Sequence, residues 1–244
     1  MDLRERNPLN PHRHPWELAR AASILALLPP LAPEACLADV GAGDLYIAHL
    51  LAARMRGPLF AVDAGYADLS SQENIRLLRD VSQVPDGAVD CMLVLDMIEH
   101  VDDDLPFVQS LLRPLKPGAA VIFTVPAHPV LFSPHDVFLR HRRRYRRARL
   151  AELLRVAGFH VDELFHFYGT LLAVRCLQLA FVKVGLLTVM EDGVGNWRHP
   201  ESHAATRCGR AVLAADFAVN RFLQRRLGFS AGLSLCAICR KPRG

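Results

Sequence analysis

Three short apolar runs, each ending in an acidic residue, set the rhythm of the first half of the chain: Cys36-Leu-Ala-Asp39, Leu59-Phe-Ala-Val-Asp63 and Val89-Asp-Cys-Met-Leu-Val-Leu-Asp96. Each predicts a strand. Between the first two, Asp44-Leu-Tyr-Ile-Ala-His-Leu-Leu-Ala-Ala-Arg54 spaces its apolar residues as a helix does. Further on, Leu115-Lys-Pro-Gly118 predicts a helix end closed by glycine, and Ala119-Ala-Val-Ile-Phe-Thr-Val125 the strand after it. Strands alternating with helices predict an open α/β sheet.

The turn after the first run, Val40-Gly41-Ala-Gly43, is where the pattern acquires chemistry. Gly41 and Gly43 let the backbone turn sharply and come close to a ligand, which points to a nucleotide-like cofactor. The third glycine of the dinucleotide fingerprint, due near Leu45 or Tyr46, is missing. Asp63 follows Gly43 by about 20 residues, the interval at which such folds set a carboxylate against ribose hydroxyls.

Taken together these segments resemble the class I S-adenosylmethionine-dependent methyltransferases over roughly residues 36–165. Asp39-Val-Gly-Ala-Gly43 is similar to their first motif, Val62-Asp63 to the ribose-binding acid, and Arg79-Asp80-Val81 to the adenine-side position. Asp90 to His100 is similar to the strand and turn before the acceptor site, and Leu111-Leu-Arg-Pro-Leu-Lys-Pro-Gly118 completes the set. The resemblance implies a doubly wound, Rossmann-like sheet of seven strands, mostly parallel with an antiparallel last strand. It also implies S-adenosylmethionine as cofactor, with Asp39, Gly41, Gly43, Asp63, Asp80, Val81 and Asp96 binding it. The chain departs from the family in the missing glycine and in the short spacing from Asp63 to Ile75, which leaves little room for the usual second helix.

His135-Asp-Val-Phe-Leu-Arg-His141-Arg-Arg143-Arg144-Tyr145 is similar to an Asp-x4-His-x-Arg-Arg-Tyr pattern of bacterial methyltransferases near the ubiquinone and menaquinone branch. The resemblance implies that His141, Arg143, Arg144 and Tyr145 hold a carboxylate, phosphate or diphosphate on the acceptor, arginine being suited to bidentate contact. The same run also reads as a solvated helix start. Asp96, Glu99 and His100 resemble the acid-x-x-Glu-His arrangement that ubiquinone-pathway O-methyltransferases use for a divalent cation. The acids equally suit a helix start, and no metal is assigned.

Methyl transfer asks a protein mainly to align donor and acceptor and to exclude water. An oxygen acceptor must also lose a proton, for which imidazole is suited near neutral pH. His100, after the third acid-tipped strand, and His128 and His135, in the Pro-rich stretch 126–136, are the candidate bases. The expected reaction is O-methylation of an aromatic or lipid-like hydroxyl on a small molecule. The rivals are RNA methylation, suggested by the seven arginines of 140–149, and a non-catalytic methyltransferase-like partner subunit.

A chain of 244 residues, 51% hydrophobic, fits one domain around a substantial core, and the net charge of +4 says little about partners. We divide it into an N-terminal arm and helix (1–35), a cofactor-binding core (36–169), a helical insertion (170–230) and a last strand and tail (231–244). Trp16 to Leu28 reads as the helix of the first part, lying over the cofactor pocket or merely packed on the sheet. The six cysteines sit mostly in apolar patterns, so Cys236-Ala-Ile-Cys239 reads as buried strand rather than zinc site. The N-terminus lacks the apolar core of a secretion signal, which points to the cytoplasm, with peripheral contact at the inner membrane face open.

In the second half, Arg147 to Ala157 predicts a helix stopped by Gly158, Phe159 to Phe167 a strand, and Leu233 to Arg240 an antiparallel partner. The insertion predicts an apolar helix over Leu171 to Met190, broken by Arg175, Gln178 and Lys183, and an amphipathic one over Thr206 to Leu227. In the latter, Val212, Ala215, Val219, Phe222 and Leu223 form the apolar side. The pair reads as a cap over the acceptor, a homodimer surface or an interfacial foot on a membrane. Nucleic acid is not expected as a partner, since Tyr145 is the only aromatic in the basic run.

Overall fold

A computed structural model describes residues 10–183 and 197–243. Seven strands, β1 Leu37–Val40, β2 Leu59–Val62, β3 Ile75–Leu78, β4 Val89–Leu95, β5 Leu115–Pro126, β6 His160–Phe167 and β7 Ser234–Arg240, form one sheet. Their order is β3-β2-β1-β4-β5-β7-β6. The first five are parallel, and β7 runs antiparallel between β5 and β6. The register aligns Val40 with both Val62 and Val94, so the acid-tipped ends of β1, β2 and β4 meet on one edge. Chain order reverses there, between β1 and β4, and such a crevice beyond the carboxyl ends is where open α/β sheets bind ligands.

The helices are α1 Pro15–Leu25, α2 Tyr46–Ala52, α3 Asp104–Ser110, α4 Pro134–Phe138, α5 Arg147–Val156, α6 Gly169–Lys183 and α7 Ala204–Leu227. Alternate strand residues feed two cores. Ala38, Val40, Phe60, Met92 and Val94 pack with Val108 and Leu111 near α3 and Leu150 and Leu154 of α5. Leu37, Leu59, Ala61, Cys91 and Leu93 pack with Ile24, Ile47, Leu51, Leu213 and Phe217 from α1, α2 and α7. Burial on both faces is why these strands read as unbroken apolar runs.

The structure amends the sequence reading in several places. Leu115 to Gly118 belongs to β5 rather than to a helix end, because Leu115 pairs with Val89 and Lys116 reaches Asp90 at 2.7 Å. The Pro-rich stretch contains a helical turn, Pro129–Leu131, and then α4, which Ser133 and Asp136 cap. On α7 the buried positions are Thr206, Leu213, Phe217 and Asn220, whereas Val212, Val219 and Phe222 are exposed. Phe217 turns that side inward by packing edge-on against Phe165 and Phe167, and α7 also lies against α1. The predicted helix from Leu171 is α6; its expected continuation to Met190 lies outside the described residues. Among the described residues no helix is long and apolar enough to cross a membrane. Cys236 and Cys239 are buried in β7, where burial pushes both thiols up.

Candidate active site

The glycine loop is folded back onto β2. Gly41 and Gly43 have φ of +81° and +52°, and the amides of Gly41 and Ala42 both donate to the Val62 carbonyl at 2.8 and 3.1 Å. A Cβ on Gly41 would stand 3.1 Å from that of Met97. Asp63 ties two loops together, accepting from Gly43 N at 2.9 Å and Gly65 N at 2.8 Å. Where the third glycine is absent, Leu45 itself takes a left-handed conformation at φ +64° and starts α2. Other non-glycine residues of this kind, Asp96, His128 and Tyr168, follow β4, β5 and β6. Among the described residues, four of the six non-glycine residues with positive φ thus lie along this edge, Glu73 and Arg140 being the others.

A cavity of about 680 Å³ opens at this edge. Its floor is Asp39, the glycine loop, Asp63 to Gly65 and Leu95 to Met97; Trp16 and Arg20 of α1 cover one side. Arg13 anchors the leading end of α1, reaching Asp44 at 2.7 Å and lying over the Tyr46 ring. Of the two readings of this helix, the one over the pocket agrees with that placement. Arg20 pairs with Asp96 at 2.7 Å, and both meet the Thr124 hydroxyl at 3.0 Å. Asp39 is 2% exposed, and burial raises its carboxyl to about 6. Asp80 and Val81 do not line the cavity. Asp80 instead caps the turn Val81–Gln83 through Ser82 N, and Val81 is buried in the core.

At the other end Glu99, His100, His135, Leu139, His141 and Arg144 converge with Leu171 of α6. Glu99 is completely buried, and neither carboxyl oxygen has a hydrogen-bond partner among the described residues; burial, reinforced by the charge of Asp96, pushes its carboxyl well up. One donor atom each from Glu99, His100 and His141 lie within 4.8 Å of one another, close enough to converge on one small guest, a cation or an acceptor hydroxyl. The expected acid-x-x-Glu-His grouping is thus changed, with His141 joining in place of Asp96, which Arg20 and Thr124 occupy.

His141 is held by Asp136. Its Nδ1 lies 3.0 Å from Asp136 Oδ1, which also accepts from Arg144 Nε at 2.8 Å, while Oδ2 accepts from Ser133 N at 2.9 Å and Ser133 Oγ at 3.0 Å. Burial opposes ionisation of this carboxyl, but the hydrogen bonds from His141, Arg144 and Ser133 prevail and hold it far below the usual range. Only the pattern Asp-x4-His marked Asp136 in the sequence, and nothing there gave its role.

Two of the expected acceptor ligands face elsewhere. Tyr145 is buried, donating to Ile98 O and Asp104 Oδ2, and Arg143 donates to Val101 O and Asp102 O and pairs with Asp104. Tyr145 bridges to Ala127, and of residues 143–145 Arg144 alone lines the cavity. His128 is also off the cavity: its Nε2 lies 2.9 Å from Gly232 O and its ring stacks on His166. His100, His135 and His141 do line it.

A family profile described as a methyltransferase domain matches residues 12–164. The chain belongs to that methyltransferase family. A Mycolicibacterium smegmatis protein named "Probable S-adenosylmethionine-dependent methyltransferase" is 39% identical over 94 residues, which are 37% of this chain and 36% of that protein. This chain therefore matches little more than a third of that relative's length. Two solved structures share the fold. A chain from a complex with the Trm112 methyltransferase activator of Haloferax volcanii is 17% identical, with a TM-score of 0.57 over 93% of this chain and 90% of that one. A phosphoethanolamine N-methyltransferase of Haemonchus contortus, in complex with S-adenosyl-L-methionine, is 15% identical, with a TM-score of 0.56 over 91% of this chain and 52% of its own.

The chain belongs to a methyltransferase family, and the residues that line its cavity fit S-adenosylmethionine, the cofactor named for its Mycolicibacterium smegmatis relative. Gly41 and Gly43 put backbone rather than side chain on the cavity wall, Asp63 stands beside them, and Asp39 offers a desolvated carboxyl suited to an ammonium. Bound there, S-adenosylmethionine supplies an electrophilic methyl group on its sulfonium.

Proposed function

We propose that this methyltransferase acts on a hydroxyl of a small aromatic or lipid-like acceptor. The observation that supports the reading is the far end of the cavity, where two imidazoles and an unpartnered carboxyl surround one small space beside apolar Leu139 and Leu171. Water exclusion and alignment fall to that enclosure, and proton removal to an imidazole. A lipid-like acceptor draws support from Val130, Phe132, Val137 and Phe138, all exposed on the segment that carries His135 and Leu139 into the cavity. Peripheral contact with a membrane follows as part of the same reading.

The RNA reading is less favoured, since Arg142, Arg143, Arg144 and Arg149, four of the seven arginines of the basic run, are each paired with a carboxylate of the chain itself. A partner-subunit role, which the Trm112 complex of a structural neighbour brings to mind, remains the second reading. Formation of S-adenosylhomocysteine is the test, measured with phenols, a prenylated phenol, amines and total RNA. Turnover with a phenol is expected. Transfer to RNA or amines alone would overturn the hydroxyl reading, and cofactor binding without turnover on any probe would favour the partner subunit.

A further inference from the structure

We propose that His141 is the general base of the transfer and that Asp136 is its positioning residue. The proposal deepens the hydroxyl reading above and rests on it. Asp136 is fully buried and ionised, so it can only accept hydrogen bonds. At 3.0 Å from Asp136 Oδ1, Nδ1 of His141 must therefore carry a proton, and in the neutral ring Nε2 is then bare. That is the tautomer a base requires. The ring lines the cavity, and Glu99 and His100 stand beside it.

The geometry also separates His141 from His128 and His100. Nε2 of His128 is committed to Gly232 O outside the cavity. His100 packs edge-on against His141 at 4.7 Å between ring centroids, a wall that fixes the plane of its neighbour. The backbone repeats the constraint, because the His141 amide donates to Asp136 O at 2.8 Å and the Arg142 amide to Glu99 O at 2.7 Å. Base and carboxyl are thus fastened to the same turn. Arg144, on the same carboxylate, keeps Asp136 ionised.

In the step itself the acceptor's O–H proton passes to Nε2 of His141 as the oxygen's electron pair forms the bond to the methyl carbon. The carbon–sulfur bond breaks with its pair returning to sulfur, giving methyl ether, S-adenosylhomocysteine and an imidazolium facing Asp136. Glu99, whose two oxygens have no hydrogen-bond partner among the described residues, is placed to receive a second polar group of the acceptor. A buried polar atom left unmet costs free energy, so acceptors carrying such a group should be preferred over those without.

The test begins without any acceptor. Nitrogen NMR of the imidazole-labelled enzyme should show His141 as the Nδ1–H tautomer, and Asp136→Asn should abolish that preference. An Nε2–H signal in the parent enzyme overturns the proposal whether or not the variant folds. The enzyme saturated with S-adenosylhomocysteine is then given 4-nitrophenol at a pH where the free probe is un-ionised. Phenolate absorbance should appear, be lost in His141→Gln, and survive in His128→Gln. Turnover of phenols should fall roughly 10²-fold or more in His141→Gln, with S-adenosylhomocysteine affinity within a few-fold of the parent.

Phenol methylation that survives His141→Gln overturns the base assignment alone. Methylation of amines but not phenols overturns the hydroxyl reading and the base with it. Loss of phenol turnover on chelation, restored by magnesium, manganese or zinc, would show that a cation occupies the Glu99, His100 and His141 space and would also overturn the proposal.

Discussion

The two ends of the cavity are built by different means. At the cofactor end, the contacts come from backbone bent at Gly41 and Gly43 and from carboxylates at the tips of β1 and β2. At the acceptor end, side chains from the turn after β4, from residues 128–145 and from α6 have to meet. A shared ligand can be gripped by backbone that any sequence supplies, whereas acceptor chemistry needs particular side chains. Changes at the first end should therefore appear in cofactor affinity and apo stability, and changes at the second in turnover and in folding of the outer segment.

The largest effect is expected from Asp136→Ala. It leaves Arg144 charged and buried with no carboxylate, a loss of about 3 to 5 kcal/mol for breaking a buried pair. Urea unfolding should show it, and an intact midpoint would refute the view that the acceptor wall depends on this one group. The sign with pH follows from the lowered Asp136 carboxyl. Its stabilisation is present above the ordinary carboxylate value of about 4 and lost as pH falls towards its own lower value, so the gap between parent and variant should close in acid.

Asp39 should behave in the opposite sense. Its raised carboxyl, about 6, means that the apo protein is most favoured below the ordinary value and loses stability as pH rises through about 6. Asp39→Asn should accordingly melt higher than the parent at pH 8, by up to about 3 kcal/mol, and no higher at pH 4. The same variant should bind S-adenosylmethionine more weakly. Parallel melting curves across that range would remove the idea that the cofactor end stores strain in a desolvated acid.

Asp63→Ala should weaken S-adenosylhomocysteine at least tenfold, since a charged acceptor of hydrogen bonds is worth roughly 1.5 to 3 kcal/mol. Calorimetry decides it; unchanged affinity would mean that Asp63 serves only Gly43 and Gly65. The smallest effect is reserved for the exposed rim. Phe138→Asp should reduce sedimentation with anionic vesicles while changing unfolding free energy by within about 0.5 kcal/mol. Equal sedimentation would leave the membrane reading without its apolar contact.

The same contrast decides what was legible in the sequence. Asp39, Gly41, Gly43 and Asp63 were readable because strand tip, turn and acid lie within a few residues or at fixed intervals. Asp80 and Val81 matched a motif, yet the short run from Asp63 to Ile75 brings Arg79 onto Tyr66 O and Ala67 O, and neither residue reaches the cavity. In the basic run Arg144 lines the cavity while Arg143 and Tyr145 go to Asp104, a distinction composition does not carry. The α7 face was misjudged because Leu213 and Phe217 answer to the aromatic rings of β6, a tertiary choice that periodicity alone leaves open.

Ala127 bridges Tyr145, and the amides of Tyr145 and His128 donate to Pro126 O and Tyr145 O, so residues 128–144 leave the sheet and return to it through one hydrogen-bonded neck. An excursion closed in this way can be lengthened at small entropic cost, each doubling of a loop adding only about 0.6 kcal/mol. The register of β5 with β7 is set by their own pairing from Ala120 with Arg240 to Pro126 with Ser234. The segment is in effect an exchangeable cassette, and a lineage could change which molecule it methylates by rewriting that cassette while inheriting the methyl-donor machinery untouched.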